Sequence, residues 1–258
     1  MSSKSDFGVL AGAAINAVKI NELRSQQRGN RTFWLKRRRG VSRVIINFAN
    51  LFFRLAHNPV FVSGDLDTWR AREIESFLLL HGERYQAFSD RPDQVLVEEL
   101  PGVNLDKLAL ERQLSAKMIR AAGTEFFRVH NLQSREFQSG WSHGDPNMGN
   151  VIYDVLTGRA RLIDFETAHL PNLDVQERHA DDLAVFLLDL LGCTTDEEWP
   201  ELAEAFISEY PTVAVRRTLR EKLVLPSGVA RLWWAIRTEY LPDVVLNERL
   251  RSLSEILR

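Results

Sequence analysis

At 258 residues, 45% hydrophobic and 26% charged, the chain is long enough for one sizeable domain or two lobes and apolar enough to bury a core. A formal net charge of -2 gives none of the overall basic excess that marks nucleic-acid binders. The single cysteine, Cys193, cannot close an internal disulfide, and no run approaches the roughly 20 apolar residues of a membrane-spanning helix. The expectation is a cytoplasmic protein with no nucleic-acid partner, and the sequence carries no signal of oligomeric state.

Charge is nevertheless uneven. Arg24, Arg28, Arg31, Lys36, Arg37, Arg38, Arg39 and Arg43 follow one another with no acidic residue among them. The stretch from Arg24 to Arg43 reads either as a solvated basic face or as a surface for phosphate groups and peripheral membrane contact. Within it, strands over 18–24 and 31–38 are expected to pair around Gly29-Asn30, a dipeptide suited to a tight turn. An apolar segment follows over 44–55. Next, the short polar side chains of Asp65-Leu66-Asp67-Thr68 can cap a helix over 69–81, whose Ala71, Ile74, Phe77 and Leu78 recur at helical spacing and are expected to face inward.

The run 94–100 reads as a strand, and Pro101-Gly102 punctuates the chain, dividing it into an N-terminal part, 1–100, and a C-terminal part, 101–258. One long helix is expected over 105–130. Short apolar strands at 151–153 and 161–164 flank a Thr157-Gly158 turn. Beyond them, Leu183, Phe186, Leu187 and Leu190, then Leu232, Trp233, Ile236 and Tyr240, predict mostly helix. A small strand-rich part followed by a larger helical one is an α+β outline.

The chemistry concentrates in His143-Gly144-Asp145-Pro146-Asn147-Met148-Gly149-Asn150, followed by Ile163-Asp164-Phe165-Glu166. Asp145, in a Gly-Asp-Pro turn, can meet a substrate hydroxyl as a general base. Asn150, five residues on, offers a neutral amide oxygen suited to a hard cation, and Asp164 ends a short strand where a charged oxygen ligand is wanted. The hairpin between them returns the two side by side. Phosphoryl transfer needs these parts together with a cation on the nucleotide phosphates, because positioning and charge neutralisation do nearly all of the work.

This pattern resembles the aminoglycoside phosphotransferase and choline kinase group of the protein-kinase-like superfamily. The resemblance implies a two-lobed protein-kinase-like fold, with a small antiparallel-sheet N-terminal lobe for nucleotide and a larger, mostly helical C-terminal lobe. It also implies ATP and Mg²⁺ as cofactors, Asp145 as catalytic base, Asn150 and Asp164 as metal ligands, and His143 as a structural residue, with Glu166 an additional or supporting metal group. Gly144 stands where most protein kinases carry arginine, and Glu166 where they carry glycine. Both departures favour a small-molecule kinase.

In such folds a strand lysine is held against the phosphates by a helical glutamate. Lys36 is expected in that place, with Arg38 on the same strand face as a competitor, and Glu73 is preferred to Glu75 as its partner. Glu99 and Leu100 resemble the hinge whose backbone groups hold adenine. Asp182 matches an aspartate that receives hydrogen bonds from the catalytic loop, a helix N-cap being the plain alternative. Gly8 and Gly12 are candidates for a degenerate phosphate loop. Asp6-Phe7-Gly8 spells a kinase metal motif, but chain order excludes that role.

Phe33-Trp34-Leu35-Lys36, with basic residues and Gly40 after it, looks like the N-terminal lobe of the bacterial lipopolysaccharide core kinases, which phosphorylate sugars on a membrane glycolipid. The implied acceptor is a hydroxyl of a small molecule, sugar or glycolipid. A protein Ser/Thr kinase fits less well, since only 15 residues separate Glu166 from Asp182, and a pseudokinase interaction module is the remaining alternative. Trp199, Trp233, Trp234 and Tyr240 read as core, with stacking on a sugar face as the second choice.

Overall fold

In the computed structural model, which describes residues 20–258, Gly29 takes a φ of 63° at the first central position of a two-residue turn, a conformation open to glycine at no steric cost. The turn fixes the register of β1 (Asn21–Arg28) and β2 (Arg31–Arg38), which pair antiparallel from Arg28↔Arg31 to Asn21↔Arg38. A two-residue connection draws paired residues up to its edge, so β1 runs to Arg28 rather than stopping at Arg24. The first residues of the expected strand, Asp6-Phe7-Gly8 and Gly12 lie outside the described residues.

The chain divides into two compact units, Met1–Glu99 and Leu100–Arg258. In the first, α1 (Ser42–Leu55), β3 (Val60–Val62) and α2 (Leu66–His81) follow the hairpin. Then β4 (Ala87–Phe88) and β5 (Gln94–Glu98) complete an antiparallel sheet of order β1-β2-β5-β4. Asp65 caps α2 by accepting from the Thr68 N–H at 2.7 Å.

The inward face of α2 differs from the expected one. Ala71 and Leu78 are exposed and Ile74 is half-buried, whereas Trp69, Arg72, Glu73, Ser76, Phe77 and Leu80 are buried. The cause is β2, which turns the cations of Lys36 and Arg38 toward this helix: Lys36 meets Glu73 and Arg38 lies 4.6 Å over the Trp69 ring. Buried cations require charged and aromatic partners, so the helix turns those inward and leaves Leu78 and Leu79 exposed.

The basic stretch is correspondingly not a free ribbon. Arg24 pairs with Glu22, Arg28 with Asp90, Arg31 with Glu98 and Arg37 with Asp93. With Lys36 and Arg38 buried, only Arg39 and Arg43 of the eight lie exposed without an ion pair among the described residues.

The second unit opens with β6 (Val103–Asn104), α3 (Leu105–Leu110) and α4 (Ala116–His130). The single long helix expected here is broken: Arg112 adopts a φ of 55° and Ser115 is extended. Leu105, Leu108, Ile119, Ala122, Phe126 and Val129 are all buried and keep one helical phase across the interruption, so the apolar period does not reveal it. A small hairpin of β7 (Gln133–Ser134) and β8 (Ser139–Gly140) precedes β9 (Val151–Asp154) and β10 (Arg159–Leu162), which form a sheet of order β10-β9-β6. After β11 (Thr167–His169) the chain is helical: α5 (Val175–Cys193), α6 (Trp199–Ser208), α7 (Val213–Lys222), α8 (Gly228–Arg237) and α9 (Asp243–Ile256).

The core of this unit gathers Phe126, Phe186 and Phe206, with ring centroids 4.4–5.2 Å apart. Leu183, Leu187 and Leu190 of α5 are buried around them, each such side chain contributing about 1.5–3 kcal/mol. Trp199 is also core, but Trp233, Trp234 and Tyr240 are only half-buried and α8 has no fully buried residue. Among the described residues no helix is long and apolar enough to cross a membrane. The molecule is thus mixed α/β, with a small antiparallel sheet region and a helical C-terminal part.

Candidate active site

In the loop between β8 and β9, Gly144 has a φ of 94°, and a Cβ there would lie 3.0 Å from the Thr167 carbonyl oxygen. An arginine at this position would carry both the backbone strain and the collision. Glycine is therefore demanded by the turn itself.

The loop is held from below by Asp182. This residue is not a helix cap: α5 begins at Val175, seven residues before it, with Asp174 as N-cap in a capping box with Glu177. Asp182 lies inside the helix, fully buried, and accepts from the backbone N–H of His143 at 2.7 Å and of Gly144 at 2.8 Å. Burial opposes its charge, but the imidazoles of His169, His130 and His143 outweigh that and hold the carboxyl well below the usual range. His130 also stacks on His179, centroids 3.9 Å apart. Burial pushes His179 down to about 3, so it is neutral at ordinary pH.

His143 has its tautomer fixed by its neighbours. Its Nδ1 accepts from the Asp145 backbone N–H at 3.2 Å, so Nε2 carries the proton and donates to the Ile163 carbonyl at 2.9 Å. One imidazole thereby ties the turn that carries Asp145 to the segment that carries Asp164, which does not end a strand as expected but lies two residues past the end of β10 at Leu162.

The Asp145 side chain is 28% exposed. Its Oδ1 accepts from Asn147 Nδ2 at 3.3 Å and from the Arg237 guanidinium. Its backbone carbonyl accepts from Asn150 Nδ2 at 2.8 Å. That bond uses the amide nitrogen of Asn150 and leaves the amide oxygen as the atom suited to a hard cation. The backbone of Asn150 accepts from the Ile163 N–H at 3.0 Å, which carries the β9–β10 pairing one step past Val151↔Leu162.

Asp164 comes next, with a left-handed φ of 67°. Such a conformation costs on the order of 1–3 kcal/mol in a non-glycine residue and persists where its surroundings fix it. Here Ile163 is locked on both Asn150 and His143, and Phe165 is buried against Trp141 and His143 with centroids 5.7 and 5.3 Å away. Asp189 accepts from the Met148 N–H at 2.7 Å, and burial pushes its carboxyl up to about 6.

Within the first unit, Lys36 Nζ lies 2.9 Å from each carboxylate oxygen of Glu73, and both residues are buried. Glu75 is exposed, and Arg38 is engaged on Trp69. Glu99 is exposed; its N–H donates to the Thr32 carbonyl at 2.9 Å and its carboxylate accepts from Trp34 Nε1 at 3.2 Å. An adenine contact at Glu99 would therefore fall to its carbonyl. Leu100 is buried.

Asp145, Asn150 and Asp164 are thus linked through one hydrogen-bonded loop of the second unit, and Lys36 and Glu73 form one ion pair of the first. Sequence reasoning missed Arg237 and Asp189, which reach the loop from distant helices. The one local signal was Trp233, a helical turn before Arg237 and in position to stack on it. No family model matches the chain, and no curated protein matches it.

Proposed function

We propose that the protein is an ATP- and Mg²⁺-dependent phosphotransferase that moves the γ-phosphate to a hydroxyl of a small molecule, sugar or glycolipid. The observation that carries this reading is the bonding of the loop: the Asn150 amide is oriented by the Asp145 carbonyl while the Asn150 backbone fixes the strand end before Asp164. A base and two oxygen donors are held in one framework.

The donor set fits the metal. A neutral amide oxygen and one carboxylate are hard ligands of the number that Mg²⁺ commonly takes from protein, the rest coming from water and phosphate. Bound Mg²⁺ would neutralise charge on the phosphates. Asn150 and Asp164 would hold it. In the same reading Asp145 orients the acceptor hydroxyl and takes its proton as the new O–P bond forms and the bond from the γ-phosphorus to its bridging oxygen breaks, releasing ADP. Lys36, held in place by Glu73, would bind the phosphates. This calls for the two-lobed kinase-like arrangement implied by the motifs.

A small acceptor is favoured over a peptide. Only residues 170–174 separate β11 from α5, which is too short for a peptide-binding platform. The test is ADP release with ATP, Mg²⁺ and a panel of hydroxyl compounds. Asp145→Asn should lower turnover on the best acceptor by about 10²–10⁴-fold, and unchanged turnover would refute the assignment.

A further inference from the structure

Helix α1 carries its apolar face outward. Val44, Phe48, Leu51 and Leu55 are 60, 70, 49 and 57% exposed. They recur at spacings of four, three and four residues, with exposed Val41 three residues before them, and so form one continuous stripe along the helix. The inward side is held by buried Ser42 and Ile46 and by Asn50, whose amide donates to and accepts from the Val62 backbone, both at 2.9 Å. Single exposed apolar residues are ordinary; a stripe of five is not.

The charge beside the stripe has one sign. At 100° per residue, Arg43, Asn47 and Arg54 fall along one flank of it, and Arg39 precedes the helix. All three arginines are exposed and make no side-chain hydrogen bond or ion pair among the described residues. No acidic residue occurs between Glu22 and Asp65. A cleft of about 1120 Å³ adjoins the start of the helix, lined among others by Arg39, Arg43, Asn47, Asp65 and Asp93. Four acidic residues line it as well, but Asp65 caps α2, Asp93 pairs with Arg37, Asp67 with Arg70 and Glu22 with Arg24, so Arg39 and Arg43 are its exposed cations without an ion pair among the described residues.

We propose that α1 docks the protein on an anionic bilayer. The helix would lie in the interface plane, its Val44-Phe48-Leu51-Leu55 stripe at the acyl boundary and Arg39, Arg43 and Arg54 at headgroup phosphates. An unpaired arginine row beside an apolar stripe argues for this occupant, since it matches headgroup phosphates, whereas a second copy docked with its helix antiparallel would set the arginines of one copy beside those of the other. The surface is thus α1 and not the whole basic stretch, most of which is already paired. The inference does not rest on the phosphotransferase reading.

The test is co-sedimentation of the full chain with vesicles. Binding is expected to vesicles of equal parts phosphatidylcholine and phosphatidylglycerol, to weaken with salt, and to be absent on phosphatidylcholine alone. Phe48→Ser with Leu51→Ser should weaken binding by about tenfold or more, and Arg43→Glu with Arg54→Glu should do so independently, each with the thermal midpoint of the wild type. The second pair guards against misfolding of the first. The proposal is overturned if anionic vesicles do not bind, if both double variants bind as the wild type does, or if the chain is a dimer that Phe48→Ser dissociates.

Discussion

Arg237, the last residue of α8, donates from its guanidinium to the carboxylate of Asp145, 92 residues earlier in the chain, while its own plane lies 4.4 Å over the Trp233 ring. A cation held on one side by an aromatic face and on the other by a carboxylate has little freedom. It fixes the carboxylate in turn. Helix α8, otherwise half-exposed, is thereby tied to the loop that carries the candidate chemistry.

Arg237→Ala should therefore act on the chemical step. Misplacing a reacting group by about 1 Å costs on the order of 10²-fold, so kcat is expected to fall by about that factor while the KM for ATP stays near the wild-type value. Arg237→Lys should recover part of the loss. Steady-state kinetics on the three proteins check this, and a change confined to KM would remove Arg237 from its positioning role.

The buried Lys36–Glu73 pair separates stability from function. Glu73→Ala leaves a buried ammonium without its carboxylate and should destabilise the fold by about 3–5 kcal/mol. The double replacement Lys36→Met with Glu73→Leu removes both charges and should restore most of that stability. It should not restore ATP-dependent turnover. Urea unfolding and an activity assay on the same two preparations make the comparison.

Asp189 gives a prediction in pH. Its folded carboxyl titrates near 6 against an ordinary 3.8, so between about pH 4 and 6 the folded state holds more protons than the unfolded one. Stability contributed by this group therefore falls as pH rises through that window. Asp189→Asn keeps an acceptor for the Met148 N–H but removes the titration. The variant should gain about 2 kcal/mol on the wild type between pH 4 and pH 7. His179, held neutral down to about 3, acts in the opposite sense in both proteins: the unfolded chain protonates first, and stability is lost as pH falls below about 6.5. A difference between variant and wild type that is the same at pH 4 and pH 7 would exclude a raised Asp189.

Local features were the legible ones. Gly29-Asn30 specifies a hairpin because only a two-residue turn fits between its strands, and the spacing from His143 to Asn150 is visible because those residues are sequence neighbours. The strand turn before Asp164 was legible for the same reason, through Thr157-Gly158. Features set by tertiary partners were hidden. The inward face of α2 follows from the cations on β2, not from its own apolar residues. The break between α3 and α4 leaves the helical phase intact and contains neither Gly nor Pro, so no local residue announces it. Arg237 finds Asp145 only after the C-terminal helices have packed.

The proposed phosphotransferase would hold its metal on Asn150 and Asp164. Calorimetric titration with ATP tests this without knowledge of the acceptor. The wild type is expected to bind ATP in the presence of Mg²⁺ and to lose at least tenfold in affinity when the metal is chelated, about 1.4 kcal/mol or more, whereas Asp164→Ala should bind weakly and without regard to Mg²⁺. Absence of binding by the wild type, or an equal response to Mg²⁺ in Asp164→Ala, would contradict the account.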